Sequence, residues 1–157
     1  VKCKLLSIGK TSYPYIQEGI EVYLPRITRY IPFTYVELPL PKNSTSLPRE
    51  KLLAEESKIF LAQIDPSDRL YLFDEKGKAF TSREFAAMME KQVLGASKNA
   101  VFAIGGAYGF HSSLYERANG LISLSKMTFS HQMVRLFAVE QIYRALSIMR
   151  NEPYHND

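Results

Sequence analysis

The stretches Val101-Phe-Ala-Ile-Gly-Gly-Ala-Tyr-Gly109 and Leu124-Ser-Lys-Met-Thr-Phe-Ser-His-Gln-Met-Val-Arg135 decide how this chain folds. Each follows an apolar, β-forming run and opens into a loop. The first loop is nearly stripped of side chains. The second carries hydroxyls, a Lys and a His. Two such loops at the ends of buried strands are how an α/β domain builds a pocket for a small cofactor with polar and apolar parts.

The same alternation runs outward in both directions. Lys4 to Ile8 reads as a first strand. Tyr13 to Tyr30 places Tyr15, Ile16, Ile20, Tyr23, Leu24 and Ile27 at helical spacing, with Pro25 predicting a kink or an early end. Phe33 to Leu38 is a second strand, closed by Pro39 and Pro41; residues 39–48 form the one linker-like, mobile stretch. Pro48 suits the first turn of a helix running to Gln63. Arg69 to Phe73 is a third strand. Thr81-Ser-Arg-Glu84 fits a capping box that starts a helix ending near Gly95. A fourth strand at Ala100 to Ile104, a short helix at His111 to Asn119, a fifth strand at Leu121 to Leu124 and a terminal helix at His131 to Arg150 complete the order. The pattern predicts an α/β fold: one domain over residues 1–157, with a mostly parallel sheet covered by helices on both faces.

Bulk properties narrow the function classes. The 157 residues suit one domain, and 46% hydrophobic with 23% charged residues is ordinary for a globular chain. No run approaches the ~18 apolar residues of a membrane span, and the first residues are too charged for a signal peptide. The single Cys3 excludes an internal disulfide and a Cys-based metal cluster, so a reducing cytoplasm is the expected location. A net charge of +4 permits an RNA partner without requiring one.

Chemistry is expected beyond the carboxyl ends of the strands. Three such ends stand out: Leu72-Phe-Asp-Glu-Lys-Gly77, Gly105 to Gly109, and Ser125 to Ser130. Gly105 and Gly106 either make a tight turn or let a ligand approach the backbone closely. Gly105-Gly106-x-x-Gly109 lacks the G-x-G-x-x-G spacing of a dinucleotide site. Gly9-Lys10-Thr11 has Lys4 where a P-loop needs its leading Gly. No G-x-S-x-G occurs. His111, His131 and His155 are scattered, so no metal site is expected. Asp74-Glu75 reads as a solvated turn. Arg135 shares a helix face with His131 and points at the pocket, at a phosphate or at solvent. The terminal helix is apolar most of the way round, which fits one face on the sheet and another on a partner. Tyr154-His155 is either a frayed end or an aromatic lid that stacks on a base.

Ile104-Gly-Gly-x-x-Gly109, the run Leu124 to Arg135, Glu140-Gln-x-Tyr-Arg-Ala145 and Tyr154-His155, with Leu6-x-Ile-Gly-Lys10 and Leu72-Phe-Asp-x-x-Gly77, resemble the RlmH (YbeA) family of SPOUT methyltransferases over the whole chain. The resemblance implies a SPOUT fold with a deep C-terminal trefoil knot, a rare exception to the rule against threaded chains. It implies S-adenosyl-L-methionine as cofactor, contacted by Phe73, Gly105, Leu124, Ser125, Lys126, Met127, Thr128 and Phe129. It implies a homodimer that methylates N3 of a pseudouridine in 23S ribosomal RNA of the assembled ribosome. His131, Arg135, Tyr154 and His155 are the candidate catalytic side chains. The chain departs from the family pattern at Phe73, usually Leu, and at Asn156, where a basic residue is common. The competing expectation is a non-catalytic ribosome-binding module on the same scaffold.

Overall fold

The computed structural model describes residues 1–156. Its elements are β1 (Cys3–Ile8), α1 (Pro14–Thr28), β2 (Phe33–Leu38), α2 (Arg49–Leu61), β3 (Arg69–Ala79), α3 (Ser82–Met89), β4 (Ala100–Ile104), α4 (Ser112–Arg117), β5 (Gly120–Ser123) and α5 (His131–Met149). The strands pair only in parallel, in the order β2-β1-β4-β3-β5. A parallel sheet needs cover on both faces, and the strands supply apolar side chains to both. Leu5, Phe73, Phe102 and Ile104 pack with Ile16 and Ile20 of α1, Phe85 and Met89 of α3, and Val139 and Ile142 of α5. Their neighbours Leu6, Ile8, Leu72 and Val101 face the other way, toward Phe60 of α2 and Leu114 of α4. The sheet therefore divides the core in two, with each buried aliphatic or aromatic side chain contributing about 1.5–3 kcal/mol.

Three local differences from the sequence reading have physical causes. The third strand does not stop at Phe73: after Phe73 pairs with Ile122 the chain bulges out, and Lys78 then pairs with the same residue. Gly77 makes this possible, because a Cβ there would lie 2.5 Å from the Leu121 carbonyl carbon. Pro25 does not end α1, which runs on to Thr28. It sits exposed in the last turns, where the carbonyl it leaves unbonded faces water, and Thr28 Oγ1 donates to the Pro25 carbonyl at 2.9 Å. The fourth helix is shorter than expected, with His111 as its cap: the ring Nδ1 accepts from the Ser113 N–H at 3.2 Å. The capping box at Thr81 forms as read, and the helix it starts widens after Met89 into one π turn, Glu90–Leu94, before Gly95.

The strand order matters most for function. β4, β3 and β5 are neighbours, so the loops at their carboxyl ends are brought together although they are far apart in the chain.

Candidate functional site

These three loops, with the start of α5, enclose a cavity of about 560 Å³. Its floor is apolar, built by Phe73, Ile104, Ile122 and Leu124 at the ends of β3, β4 and β5. Its wall along Gly105–Gly109 is a glycine-rich turn in which Ala107 and Tyr108 carry the only side chains. The tight-turn reading of the glycines holds. A Cβ at Gly105 would meet the Gly109 carbonyl oxygen at 2.7 Å, and Gly109 has φ +80°, so the tight turn requires glycine. The same turn lines the cavity. The opposite wall is shaped by its own hydroxyls: Ser123 Oγ donates to the Ser125 carbonyl at 2.8 Å, and Ser125 Oγ accepts from the Met127 N–H at 3.0 Å. Met127 is 75% exposed at the mouth, an apolar side chain held in water beside an apolar floor.

Polar groups stand at the rim. His131, first residue of α5, follows the N-cap Ser130 and is half-buried. Burial, and then the charge of Arg135, lower the pKa of its ring, so the neutral imidazole is favoured. Asp74, read from sequence as a solvated turn residue, is instead part of the cavity wall, thrown there by the β3 bulge. Its carboxylate accepts from the Tyr115 phenol and from the Lys76 N–H. Burial and the Asp74 carboxylate push the Tyr115 phenol up to about 12.

The structure brings together only part of the residue set expected from sequence. Phe73, Gly105, Leu124, Ser125, Met127, Phe129 and His131 line the cavity, whereas Lys126 and Thr128 are exposed beside it. Arg135 does not face the cavity. It is 0% exposed, and its guanidinium donates to the carbonyls of Ile8 (2.8 Å) and Gly9 (2.9 Å) and to Thr11 Oγ1 (3.0 Å), with Glu37 at 3.3 Å. Gln132 acts alongside it, accepting from the Ser12 N–H and donating to the Lys10 carbonyl. These two side chains clamp the start of α5 to the end of β1. Sequence reasoning missed Gln132 and Asp74, because neither has a motif of its own; the Leu-Phe-Asp-x-x-Gly run was the one available pointer to Asp74.

The family described as "Predicted SPOUT methyltransferase" matches residues 1–155. The chain belongs to this SPOUT methyltransferase family. Among similar relatives, the "Ribosomal RNA large subunit methyltransferase H" of Cytophaga hutchinsonii is 50% identical, covering 99% of this chain and 100% of its own length. The protein of the same name from Parabacteroides distasonis is 46% identical, with 100% of both chains covered. Of solved structures, a probable methyltransferase from Bordetella pertussis Tohama I aligns with a TM-score of 0.57 at 13% identity, over 92% of this chain and 96% of that one, which supports the fold alone.

In this SPOUT chain, the tail residues Tyr154 and His155 are packed rather than frayed, but not at the cavity. The Tyr154 hydroxyl donates to Glu140 Oε1 at 3.0 Å, its ring meets Tyr143 edge-on at 4.7 Å, and the Arg144 guanidinium lies over it at 4.7 Å. Arg144 also reaches His155 Nδ1 at 3.1 Å and pairs with Glu140 at 2.6 Å. With Tyr23 and Arg26 of α1, these residues form a basic, aromatic cluster along α1 and α5.

Proposed function

We propose that this chain is an S-adenosyl-L-methionine-dependent methyltransferase of ribosomal RNA, acting on N3 of a pseudouridine in 23S rRNA of the assembled ribosome in the cytoplasm. The observation that carries this reading is the cavity across three neighbouring strand ends, bordered by the glycine turn, with His131 at its rim. The cavity fits the cofactor: its volume lies within the range of cofactor sites, its floor is apolar for a nucleoside, and hydroxyls and a glycine-rich turn border it. Phe73, Gly105, Leu124, Ser125, Lys126, Met127, Thr128 and Phe129 are the proposed cofactor residues. When bound, S-adenosyl-L-methionine supplies an electrophilic methyl on a sulfonium. The protein's task is mainly alignment and exclusion of water. The neutral imidazole of His131 is suited to take the N3 proton as N3 becomes methylated.

The split between His131 at the cavity and Tyr154–His155 on the α1–α5 face supports a homodimer in which one subunit's tail cluster meets the other's cavity. Arg135 then acts as a positioning residue for α5. The trefoil knot expected of the family is proposed on related ground: the segment 124–135 runs from edge strand β5 past the ends of β3 and β4 to clamp onto β1.

The test is incubation of the purified protein with cofactor and ribosomes from a strain lacking the corresponding gene, followed by mass spectrometry of the rRNA nucleosides. A new N3-methylpseudouridine supports the reading. Cofactor binding without any new methylated nucleoside would favour the non-catalytic ribosome-binding module.

A further inference from the structure

Arg49 and Tyr108 meet at the mouth of the cavity, and neither was singled out by sequence reasoning. The Arg49 guanidinium lies 4.1 Å from the centroid of the Tyr108 ring, and both residues line the opening. Tyr108 is 53% exposed, so one face of its ring carries the guanidinium while much of the rest meets solvent. It is fixed in place by the turn around it, where the Gly109 N–H donates to the Gly106 carbonyl at 3.2 Å. Among the described residues, the Arg49 N–H groups find no acceptor. Helix stability does not explain the position either: Arg49 is the first residue of α2, where the helix dipole disfavours a cation. A guanidinium held over an aromatic ring, with no acceptor of its own, has its N–H donors available, and such a fork can grip an oxyanion in two-point fashion.

We propose that the Arg49–Tyr108 stack is a docking point for an oxyanion of a ligand entering the cavity, namely a backbone phosphate of the RNA substrate next to the target nucleotide. This rests on the RNA-methyltransferase reading above. Arg49 starts α2, and α2 covers the opposite face of the sheet from His131's helix, so a strand laid across the cavity would touch the pair while presenting a base inward. A phosphate contact positions the strand without reading its sequence. The other oxyanion this geometry suits is the carboxylate of the cofactor, and the experiment separates the two.

The variants are Arg49→Gln, Arg49→Lys and Tyr108→Ala, with Lys98→Gln, at the opposite end of β4, as a control for loss of one positive charge. Two quantities are measured: affinity for 70S ribosomes by co-sedimentation across a salt series, which needs no turnover, and affinity for S-adenosyl-L-methionine by calorimetry. Arg49→Gln is expected to weaken ribosome binding about ten-fold and make the log–log salt dependence shallower by about one. Its cofactor affinity stays within about two-fold, because phosphate contacts act on the nucleic acid alone. Arg49→Lys and Tyr108→Ala keep the charge and lose the stack, so they weaken binding while retaining the salt slope. Lys98→Gln changes neither quantity.

An unchanged salt slope in Arg49→Gln overturns the proposal. So does a loss of cofactor affinity with ribosome binding intact, which would assign the oxyanion to the cofactor. A wild-type protein that binds ribosomes but does not methylate them defeats the catalytic reading and leaves the Arg49 comparison fully readable. A wild-type protein that does not bind ribosomes at all overturns both.

Discussion

His131 and Arg135 sit one helical turn apart and do opposite things. The imidazole is held neutral at the cavity rim, while the guanidinium is sealed beneath it on main-chain carbonyls. The lowered His131 pKa has a definite sign: the folded state binds fewer protons than the unfolded one, so its contribution to stability is present above pH 6.5 and is lost as pH falls through the folded value. NMR titration should place this ring below 6.5, and His131→Gln should abolish methyl transfer while cofactor binding persists. A ring titrating at or above 6.5 would contradict the description of the rim. Arg135→Met should cost roughly 2–5 kcal/mol in denaturant unfolding, since it leaves the buried carbonyls of Ile8 and Gly9 without their donors, at about 1–3 kcal/mol each. Activity loss in that variant should track loss of fold. Glu56 of α2 gives a third test. It is 5% exposed, next to Gly106, and burial pushes its carboxyl up to about 7. Here the folded state binds more protons, so a penalty grows as pH rises from 4.5 to about 7 and persists above. Glu56→Gln should therefore stabilise the protein by about 1–3 kcal/mol at pH 8 and much less at pH 5. Equal stability curves for the two proteins at both pH values would show that the carboxyl is not desolvated.

At the scale of elements, helix starts and most strand ends were legible, and the end of β3 was not. The Thr81 capping box forms with both of its bonds, Glu84 N–H to Thr81 Oγ1 at 3.1 Å and Thr81 N–H to Glu84 Oε1 at 3.0 Å. Thr81→Ala should lower stability by about 1 kcal/mol, and chemical denaturation of the variant against wild type measures it. The π turn that ends this helix left no sequence mark, because it depends on how Val93 is buried against the core rather than on a motif. The β3 bulge was equally silent. A lone glycine in a strand-like run is consistent with a turn, and only contact with the Leu121 backbone shows that it is a passage between two strands. Gly77→Ala should destabilise by about 1–3 kcal/mol, as overpacking against fixed atoms does. It should also loosen the Asp74 wall, read as a weaker cofactor affinity than the stability loss alone accounts for.

On the scale of the whole molecule, the candidate machinery falls into two groups on different surfaces: the cavity with His131, and the Arg144–Tyr154–His155 cluster on α1 and α5. Two such groups work together if two copies face each other. The protein should therefore run as a dimer in light scattering. Mixing an inactive His131→Gln protein with an inactive Tyr154→Ala protein should restore activity that neither has alone, because half-sites from different subunits recombine. Failure of the mixture, with subunit exchange verified, would place all the chemistry in one chain.

What the sequence determined by itself was local or periodic. Apolar runs fit for burial on both faces gave the parallel sheet, the capping box gave a helix start, and Ile104-Gly-Gly-x-x-Gly109 with Leu124 to Arg135 marked two of the loops that line the cavity. Such features arise from interactions within a few residues of each other, so they are written in neighbouring letters. The tertiary structure alone decided which loops meet and which way each polar side chain faces. Arg135 carries a phosphate-binding side chain and spends it on the end of β1; Asp74 has a turn residue's sequence and becomes cavity wall; Tyr154–His155 has a tail's position and is packed onto α5. Those outcomes depend on the strand order β2-β1-β4-β3-β5, which joins residues tens of positions apart. A side chain's role follows from the partners that long-range packing brings to it, and no stretch of chain contains that information alone.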